Sequence, residues 1–307
     1  MKPKLLIVLG PTAVGKSDLA LELAGEMIAE IINADSQLIY RGMDIGTAKP
    51  SKEQRDKIPH HLIDLVDPDE QFNVATFRQL ATASIHDIRE RGKQSLVCGG
   101  TGLYLKALTR GLFVGPAQNP EIREALHSES RRNGLDSLYQ RLARVDPAAT
   151  SWIHPHDRQR IIRALEVYEL TSKPISEWQE EHSFSETPFQ TLKVGLYRDR
   201  AELYERINQR CEGMIEGGLV EEVKGLLGKG YSLDLKPLQS VGYRQVGLFL
   251  NGRMGFADAV FLMKRDTRRL AKRQLTWFRG DNEIHWFHPE RERAEIRRSV
   301  REFLDWM

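Results

Sequence analysis

The stretch Leu5–Ser17 reads LLIVLGPTAVGKS and decides the fold class of this 307-residue chain. An apolar run typical of a buried strand ends in Gly10-Pro11-Thr12-Ala13-Val14-Gly15-Lys16-Ser17, which fits the G-x-x-x-x-G-K-[ST] phosphate loop at every position. The glycines let backbone N–H groups turn toward anionic oxygens, Lys16 adds a positive charge, and the Ser17 hydroxyl can bind Mg²⁺. The segment after the loop has a helical pattern, so the stretch predicts a strand, a phosphate site and a helix in succession.

The phosphate loop does not by itself identify the ligand that it binds. A nucleotide is the usual ligand of this motif. A glycine-rich turn without any ligand would also have this pattern, although it would not need the lysine and the hydroxyl. The rest of the chain has to decide between these interpretations.

Composition indicates a globular protein of ordinary type, with 40% hydrophobic and 29% charged residues. The sequence contains no apolar run close to the roughly 20 residues of a membrane span, and it begins with a strand rather than a secretory signal. Cys98 and Cys211 are far apart and suggest neither a disulfide framework nor a zinc site. We therefore expect a cytosolic protein. We also expect a monomer, because no long apolar helical seam marks an interface.

Positive charge is concentrated near the C-terminus. The formal net charge is only +2, yet Lys264–Arg279 (KRDTRRLAKRQLTWFR) contains seven Lys or Arg residues and a single acid, Asp266. Local blocks of charge matter more than the net charge for binding polyanions. This block favours a polyanionic partner.

Short apolar runs separated by helical patterns predict a doubly wound, mostly parallel α/β sheet with the phosphate loop after the first strand. We expect strands at LLIVLG, EIINAD, HLIDLV, SLVCGG and KVGLY. The alternation stops after Gly111, and Asn119 followed by Pro120 marks the start of a helix. We predict an inserted helical domain over residues 116–189, within an α/β core formed by residues 1–115 and 190–307.

Residues that follow the strands should face the phosphate site, because ligands of such sheets bind beyond the carboxyl ends of the strands. The second strand is followed by Asp35, and SLVCGG is followed by a glycine-rich turn with Thr101. The SLVCGG strand ends without the carboxylate that NTPases use to help hold Mg²⁺. Asp64 and Asp67 could replace it, but a capping or turn role is at least as plausible for them. Asp35 could hold a metal through water, accept a proton, or cap a helix.

Five motifs in order make the resemblance specific. GPTAVGKS, INADSQLIYRGMDIGTAKP, HHLIDLVDP, GGTGLYLKAL and SVGYRQV together resemble the bacterial tRNA dimethylallyltransferase (tRNA isopentenyltransferase) family over essentially the whole chain. This resemblance implies transfer of a dimethylallyl group from dimethylallyl diphosphate to the exocyclic N6 amine of the adenosine 3′-adjacent to the anticodon in tRNA. It also implies that the phosphate loop binds the diphosphate of the prenyl donor, with Mg²⁺ at Ser17.

The resemblance further implies individual roles. Asp35 matches the general base, and Thr101 matches the residue beside the oxygen that bridges carbon and diphosphate. Thr101 could instead only shape the glycine-rich turn. Arg206 is a candidate for neutralising the diphosphate, and a solvated helix face is an equally good explanation of it.

Contacts to the anticodon stem-loop of tRNA are also implied by the resemblance, and the adenine has to be flipped out of its stack to react. The matching residues are Asp35, Ser36, Gln37, Leu38, Thr101, Arg123, Gln159, Arg160, Ile161, Ile162, Arg163, Gln239, Ser240, Val241, Gly242, Tyr243, Arg244, Lys272, Arg273, Gln274, Leu275, Thr276, Trp277, Phe278 and Arg279. Amide, guanidinium and aromatic groups such as Tyr243 can read or stack on unpaired bases. Trp277 and Phe278 could equally be core residues.

Two other functions remain open on the sequence. A phosphate-loop kinase of a metabolite or nucleotide would explain the loop and the sheet, but not the helical insertion or the basic block. A non-catalytic RNA-binding module on an NTPase-like fold would explain the basic block without requiring Asp35.

Overall fold

The computed structural model describes residues 2–112, 115–182 and 185–305. The chain divides into two compact units. One consists of Met1–Thr109 and Pro188–Met307, and the other of Arg110–Thr187. The boundaries predicted from the sequence lie between residues 115 and 116 and between residues 189 and 190. Each is a few residues later in the chain than the boundary in the structure.

The first unit contains a parallel sheet whose strands lie in the order β3-β2-β4-β1-β5-β6. The strands are β1 (Lys4–Leu9), β2 (Ala29–Asn33), β3 (His60–His61), β4 (Gln94–Gly99), β5 (Gln190–Leu196) and β6 (Ile284–Phe287). Every pairing in this sheet is parallel, which confirms the predicted α/β class. The central strand β1 carries the phosphate loop at its carboxyl end.

Two strand predictions differ from the structure. Only His60 and His61 of HHLIDLV pair with the sheet, because Leu62 and Asp64 adopt left-handed backbone angles (φ 63° and 56°) that turn the chain away. The edge strand β6, with the sequence IHWF, was not predicted. Its four residues follow a long basic helix, and they extend the sheet by pairing with β5.

Helices cover both faces of the sheet. Those of the first unit are α1 (Lys16–Met27), α2 (Lys52–Lys57), α3 (Val74–Glu90), α4 (Gly102–Arg110), α9 (Arg200–Glu216), α10 (Leu219–Gly228), α11 (Tyr243–Leu250), α12 (Phe256–Phe278) and α13 (Arg293–Leu304). Strand β1 shows how the faces are divided. Leu6 and Val8 join the core beneath α1 and α9, whereas Leu5, Ile7 and Leu9 join the core beneath α3 and α4.

The second unit is helical, as the sequence indicated. It contains α5 (Pro120–Asn133), α6 (Leu135–Val145), α7 (Arg158–Thr171) and α8 (Ile175–His182). The Asn119 side chain caps α5 by accepting from the backbone N–H groups of Glu121 and Ile122, as predicted. Leucines and isoleucines of α5, α6 and α7 form the core of this unit.

Across residues 2–112, 115–182 and 185–305, no helix has both the length and the apolar character needed to cross a bilayer. The longest helix, α12, carries the basic block and is amphipathic, with Met263, Thr267 and Ala271 buried on one side.

Candidate active site

A cavity of about 530 Å³ lies at the carboxyl ends of β1, β2 and β4. The phosphate loop contributes Thr12, Ala13, Gly15, Lys16 and Ser17 to its wall, and Asp35 and Leu38 contribute from the segment after β2. Helix α9 adds Arg206 and Arg210, and α12 adds Gln274. The cavity is large enough for a small organic diphosphate and has cationic groups on one side.

The phosphate loop adopts the backbone that its sequence predicts. Gly15 has φ 107° and Ala13 has φ 64°, so successive N–H groups turn toward one side before α1 begins at Lys16. The ammonium of Lys16 donates a 2.7 Å hydrogen bond to the carbonyl of Pro11. Burial lowers the pKa of Lys16 to about 8, although the negative charge of Asp35 acts in the opposite direction. The negative charge near the ammonium therefore does not compensate for its burial, which favours binding of an anion beside it.

Asp35 is held by the asparagine two residues before it. The Asn33 side chain accepts from the N–H of Asp35 (2.8 Å) and donates to the carbonyls of Asp35 (3.0 Å) and Leu62 (2.9 Å). One carboxylate oxygen of Asp35 accepts from the N–H of Gln37 at 2.9 Å. Asp35 therefore forms a local turn rather than a helix cap, and this turn fixes the carboxylate in the cavity wall.

Thr101 is tied to the same segment. Its hydroxyl accepts a 3.0 Å hydrogen bond from the N–H of Ser36. A hydroxyl that accepts from a backbone N–H keeps its own proton available for donation. Thr101 follows the cavity-lining residue Gly99 by two positions and lies beyond the cavity lining itself.

Two arginines of α9 line the cavity, and only Arg206 was predicted from the sequence. Arg206 donates from Nε to the carbonyl of Ala13 at 3.0 Å, and Arg210, one turn later, donates to the carbonyl of Thr47 at 3.3 Å. Within the described residues, neither guanidinium is within ion-pair distance of a carboxylate. Burial lowers the pKa of Arg210, whereas the charge of Asp35 raises it. The Arg210 side chain is half-buried, and a guanidinium partly withdrawn from water without an ion pair favours an anion bound beside it.

The glycine-rich turn after β4 packs against α12. The side-chain amide of Gln274 accepts from the N–H of Thr12 at 2.9 Å and donates to the carbonyl of Gly100 at 3.0 Å. A Cβ atom at Gly100 would lie 2.4 Å from Nε2 of Gln274, and one at Gly102 would lie 2.2 Å from the indole of Trp277. These glycines leave room for the side chains of α12.

Glu222 joins two of the sequence motifs in the structure, the one that ends in MDIGTAKP and SVGYRQV. Its carboxylate accepts from the backbone N–H groups of Asp44 (2.9 Å), Ile45 (2.8 Å) and Gly46 (3.2 Å), in the MDIGTAKP segment. It also accepts from the hydroxyl of Tyr243 at 2.6 Å. The 44–48 segment supplies Thr47 and Ala48 to the cavity wall, so Glu222 shapes the cavity from outside.

Some residues predicted to contact tRNA have buried side chains. Tyr243 is 1% exposed and Phe278 is 3% exposed, so the stacking role proposed for Tyr243 is wrong for the side chain in this fold, and Phe278 belongs to the core. In the helical unit Ile161 and Ile162 are also buried.

Other predicted contact residues are accessible or form ion pairs. Gln159, Arg160, Gln239, Arg244, Lys272, Arg273, Thr276, Trp277 and Arg279 are exposed. Arg123 and Arg163 both bind the fully buried carboxylate of Glu166, at 2.9 Å and 2.7 Å. These two arginines therefore stabilise the helical unit, and their contact with tRNA stays a prediction.

Residues that could hold Mg²⁺ are few. The Ser17 hydroxyl is exposed in the first turn of α1. Asp64 binds Lys49 (2.6 Å) and Arg55 (2.7 Å), and Asp67 binds Arg41, so neither acid lines the cavity. Among the described residues no group of three His, Cys, Asp or Glu side chains has metal-site geometry.

Comparison with known proteins gives the family. The model of the IPP transferase family matches residues 38–281 of this chain. The chain is 51% identical to the tRNA dimethylallyltransferase of Geobacter metallireducens over 285 residues, covering 93% of this chain and 92% of the relative. It is 50% identical to tRNA dimethylallyltransferase 2 of Geotalea uraniireducens, over 99% and 98% of the two chains.

Solved structures agree with these relatives. The tRNA isopentenylpyrophosphate transferase of Bacillus halodurans superposes with a TM-score of 0.74 at 38% identity, covering 99% of this chain and 97% of that one. A eukaryotic dimethylallyltransferase acting on tRNA superposes with a TM-score of 0.81 at 28% identity, covering 97% of this chain and 78% of that one. The similarity therefore extends over the α/β unit and the helical unit alike.

Proposed function

This chain belongs to the IPP transferase family, and from that premise we propose that it transfers a dimethylallyl group from dimethylallyl diphosphate to the N6 amine of the adenosine 3′-adjacent to the anticodon of tRNA. The observation that carries this proposal is the cavity, which combines an anion-binding wall with the carboxylate of Asp35. A diphosphate and a weakly acidic amine are the two reactants that such a site can serve.

The diphosphate binds to the phosphate loop in this proposal. The ammonium of Lys16 and the guanidinium groups of Arg206 and Arg210 supply positive charge, and the loop N–H groups supply donors. Charge accumulates on the diphosphate as its bond to carbon breaks, so these fixed cations stabilise the transition state more than the ground state.

The proton leaves the amine through Asp35. As the new C–N bond forms and the C–O bond to diphosphate breaks, the amine becomes acidic and the carboxylate accepts its proton. The Thr101 hydroxyl donates a hydrogen bond to the oxygen that leaves carbon. Its oxygen accepts from the N–H of Ser36, which leaves the hydroxyl proton free for this bond. Diphosphate and prenylated tRNA are the products.

Mg²⁺ fits this arrangement through the exposed hydroxyl of Ser17 and the oxygens of the diphosphate. When bound, it would neutralise negative charge on the leaving group. The absence of a carboxylate at the end of β4 agrees with an ion that the substrate itself helps to hold.

The tRNA binds through the exposed cationic and aromatic side chains of α12 and through the helical unit in this proposal. Lys272 and Arg273 are exposed for phosphate contacts, and Trp277 is 45% exposed for stacking on an unpaired base. The adenine leaves its stack to reach Asp35. We further propose that the protein acts as a cytosolic monomer.

A direct test uses undermodified tRNA and labelled dimethylallyl diphosphate with Mg²⁺. We expect the label to appear on an adenine N6 in the tRNA, as identified by mass spectrometry of its nucleosides. Thermal stabilisation separates the kinase alternative, because dimethylallyl diphosphate with Mg²⁺ should raise the melting temperature more than ATP with Mg²⁺. A larger shift with ATP, together with no labelled tRNA, would refute the proposal.

A further inference from the structure

A single side chain joins the phosphate loop to the turn that carries Thr101. Gln274 lies on α12, 262 residues from Thr12 and 174 residues from Gly100. Its amide bonds to the backbone of both, and the side chain lines the cavity. Two segments that follow different strands are thereby held at a fixed separation.

The amide has one orientation that satisfies both bonds. The N–H of Thr12 requires an acceptor and the carbonyl of Gly100 requires a donor, so Oε1 faces the first and Nε2 the second. Rotation by 180° would place like groups against each other. Position 100 also has to be glycine, because a Cβ atom there would lie 2.4 Å from Nε2 of Gln274.

We infer that Gln274 is a positioning residue of the transfer reaction, which sets the distance between the bound diphosphate and the Thr101 hydroxyl. The inference rests on the proposed function, in which the phosphate loop holds the leaving group and Thr101 donates to its departing oxygen. Because a misplacement of about 1 Å can cost roughly 100-fold in rate, a fixed separation between these two segments matters for turnover.

This role differs from the one implied by the resemblance, which placed Gln274 in the tRNA-contacting segment. The side chain bonds to Thr12 and Gly100 at the cavity, whereas its neighbours Lys272 and Arg273 are exposed. A tRNA-reading residue would affect tRNA affinity when it is replaced. A positioning residue would affect kcat.

Gln274→Glu tests the inference because the carboxyl group keeps the shape of the amide. Its carboxylate still accepts from the N–H of Thr12 but repels the carbonyl of Gly100, whereas the protonated acid can make both bonds. We expect kcat at pH 8 to fall about 100-fold with KM for tRNA unchanged.

Gly100→Ala provides an independent variant in which Gln274 is intact. The added methyl group displaces the flexible end of Gln274, and the backbone at Gly100 is not left-handed, so the fold should be retained. We expect a similar loss of kcat, again with KM for tRNA unchanged. Asn73→Ala, which removes the cap of α3 far from this contact, is the control for reduced stability with unchanged kcat.

The possible outcomes are distinct. Parental kcat in Gln274→Glu at pH 8, or a loss confined to tRNA affinity, would overturn the positioning role. If the parent enzyme itself transfers no label to tRNA, the proposed function fails and the positioning role fails with it.

Discussion

The hydroxyl of Tyr243 donates a 2.6 Å hydrogen bond to the carboxylate of Glu222, and the same carboxylate accepts three backbone N–H groups of the 44–46 segment. A Cβ atom at Gly46 would lie only 2.4 Å from the ring of Tyr243. Two motifs that are about 200 residues apart in the sequence are therefore one structural unit around Glu222.

Replacing Glu222 should destabilise the protein more than removing the tyrosine hydroxyl. Glu222→Ala leaves three N–H groups and one hydroxyl without their acceptor, so we expect the free energy of unfolding to fall by about 2–4 kcal/mol. Tyr243→Phe loses one hydrogen bond to a charged group and should cost about 1.5 kcal/mol. Urea denaturation of both variants measures the difference. Equal losses would mean that Glu222 does not hold the 44–46 segment.

Asp35→Asn should separate chemistry from binding. The amide oxygen of asparagine can still accept from the N–H of Gln37, so the local turn is retained, but the side chain can no longer accept the amine proton. We expect kcat to fall by about 10²- to 10⁴-fold, with the affinity for pyrophosphate and Mg²⁺ little changed. Single-turnover transfer and calorimetric titration measure the two quantities. Transfer at the parental rate would exclude Asp35 as the base.

Arg210→Ala should weaken diphosphate binding. The variant removes a half-buried cation of the cavity wall that lacks a carboxylate partner. A hydrogen bond to a charged group is worth about 1.5–3 kcal/mol, so we expect at least a tenfold higher Kd for pyrophosphate. Arg253→Ala removes an exposed arginine outside the cavity and is the matched control. If both variants bind pyrophosphate equally well, Arg210 does not contact the diphosphate.

The affinity for diphosphate should depend on the protonation of Lys16. Its pKa is lowered to about 8 by burial, so the ammonium is charged below pH 8 and neutral above it in the ligand-free protein. A bound anion favours the charged form, and we therefore expect the affinity for pyrophosphate to fall by up to about tenfold for each pH unit above 8. Lys16→Arg keeps its charge throughout this range and should show a flatter profile. Parallel profiles of parent and variant would contradict this assignment.

Glu166 should stabilise the helical unit in a pH-dependent way. Burial alone would raise the pKa of Glu166, but hydrogen bonds from Arg123 and Arg163 lower it below its usual value. A carboxylate with a lowered pKa stabilises the folded state above the unfolded pKa, and this stabilisation is lost as the pH falls through the folded value. We expect Glu166→Gln to cost about 3 kcal/mol at pH 7 and less at pH 4. Urea denaturation at the two pH values tests this, and a pH-independent cost would refute it.

Local patterns were sufficient to predict most of the framework from the sequence. The phosphate loop, four of the strands, the cap at Asn119 and the order of the five motifs depend on residues that are close together in the chain. The position of Asp35 followed from the rule that ligands bind at the carboxyl ends of parallel strands. The family assignment is confirmed by the comparisons.

Other features depend on contacts between distant parts of the chain, and the sequence does not encode these locally. Glu222 and Gln274 resemble ordinary surface residues of amphipathic helices until their partners are known. Arg210 has the same helical spacing as a solvated face, and only its place in the cavity wall distinguishes it. The two-residue strand β3 and the short edge strand β6 are paired through the sheet rather than through strong local propensity.

The glycines of GGTG have a consequence for protein engineering. None of Gly99, Gly100 and Gly102 has a left-handed backbone, and each one instead accommodates a neighbour: the backbone of Ala34, the amide of Gln274 and the indole of Trp277. These positions are therefore glycine because neighbouring segments pack closely against them, and not because the turn has to be flexible. A scaffold designed to carry the phosphate loop and the GGTG turn would have to include α12 as well. The side chains of Gln274 and Trp277 on that helix occupy the space that Gly100 and Gly102 leave.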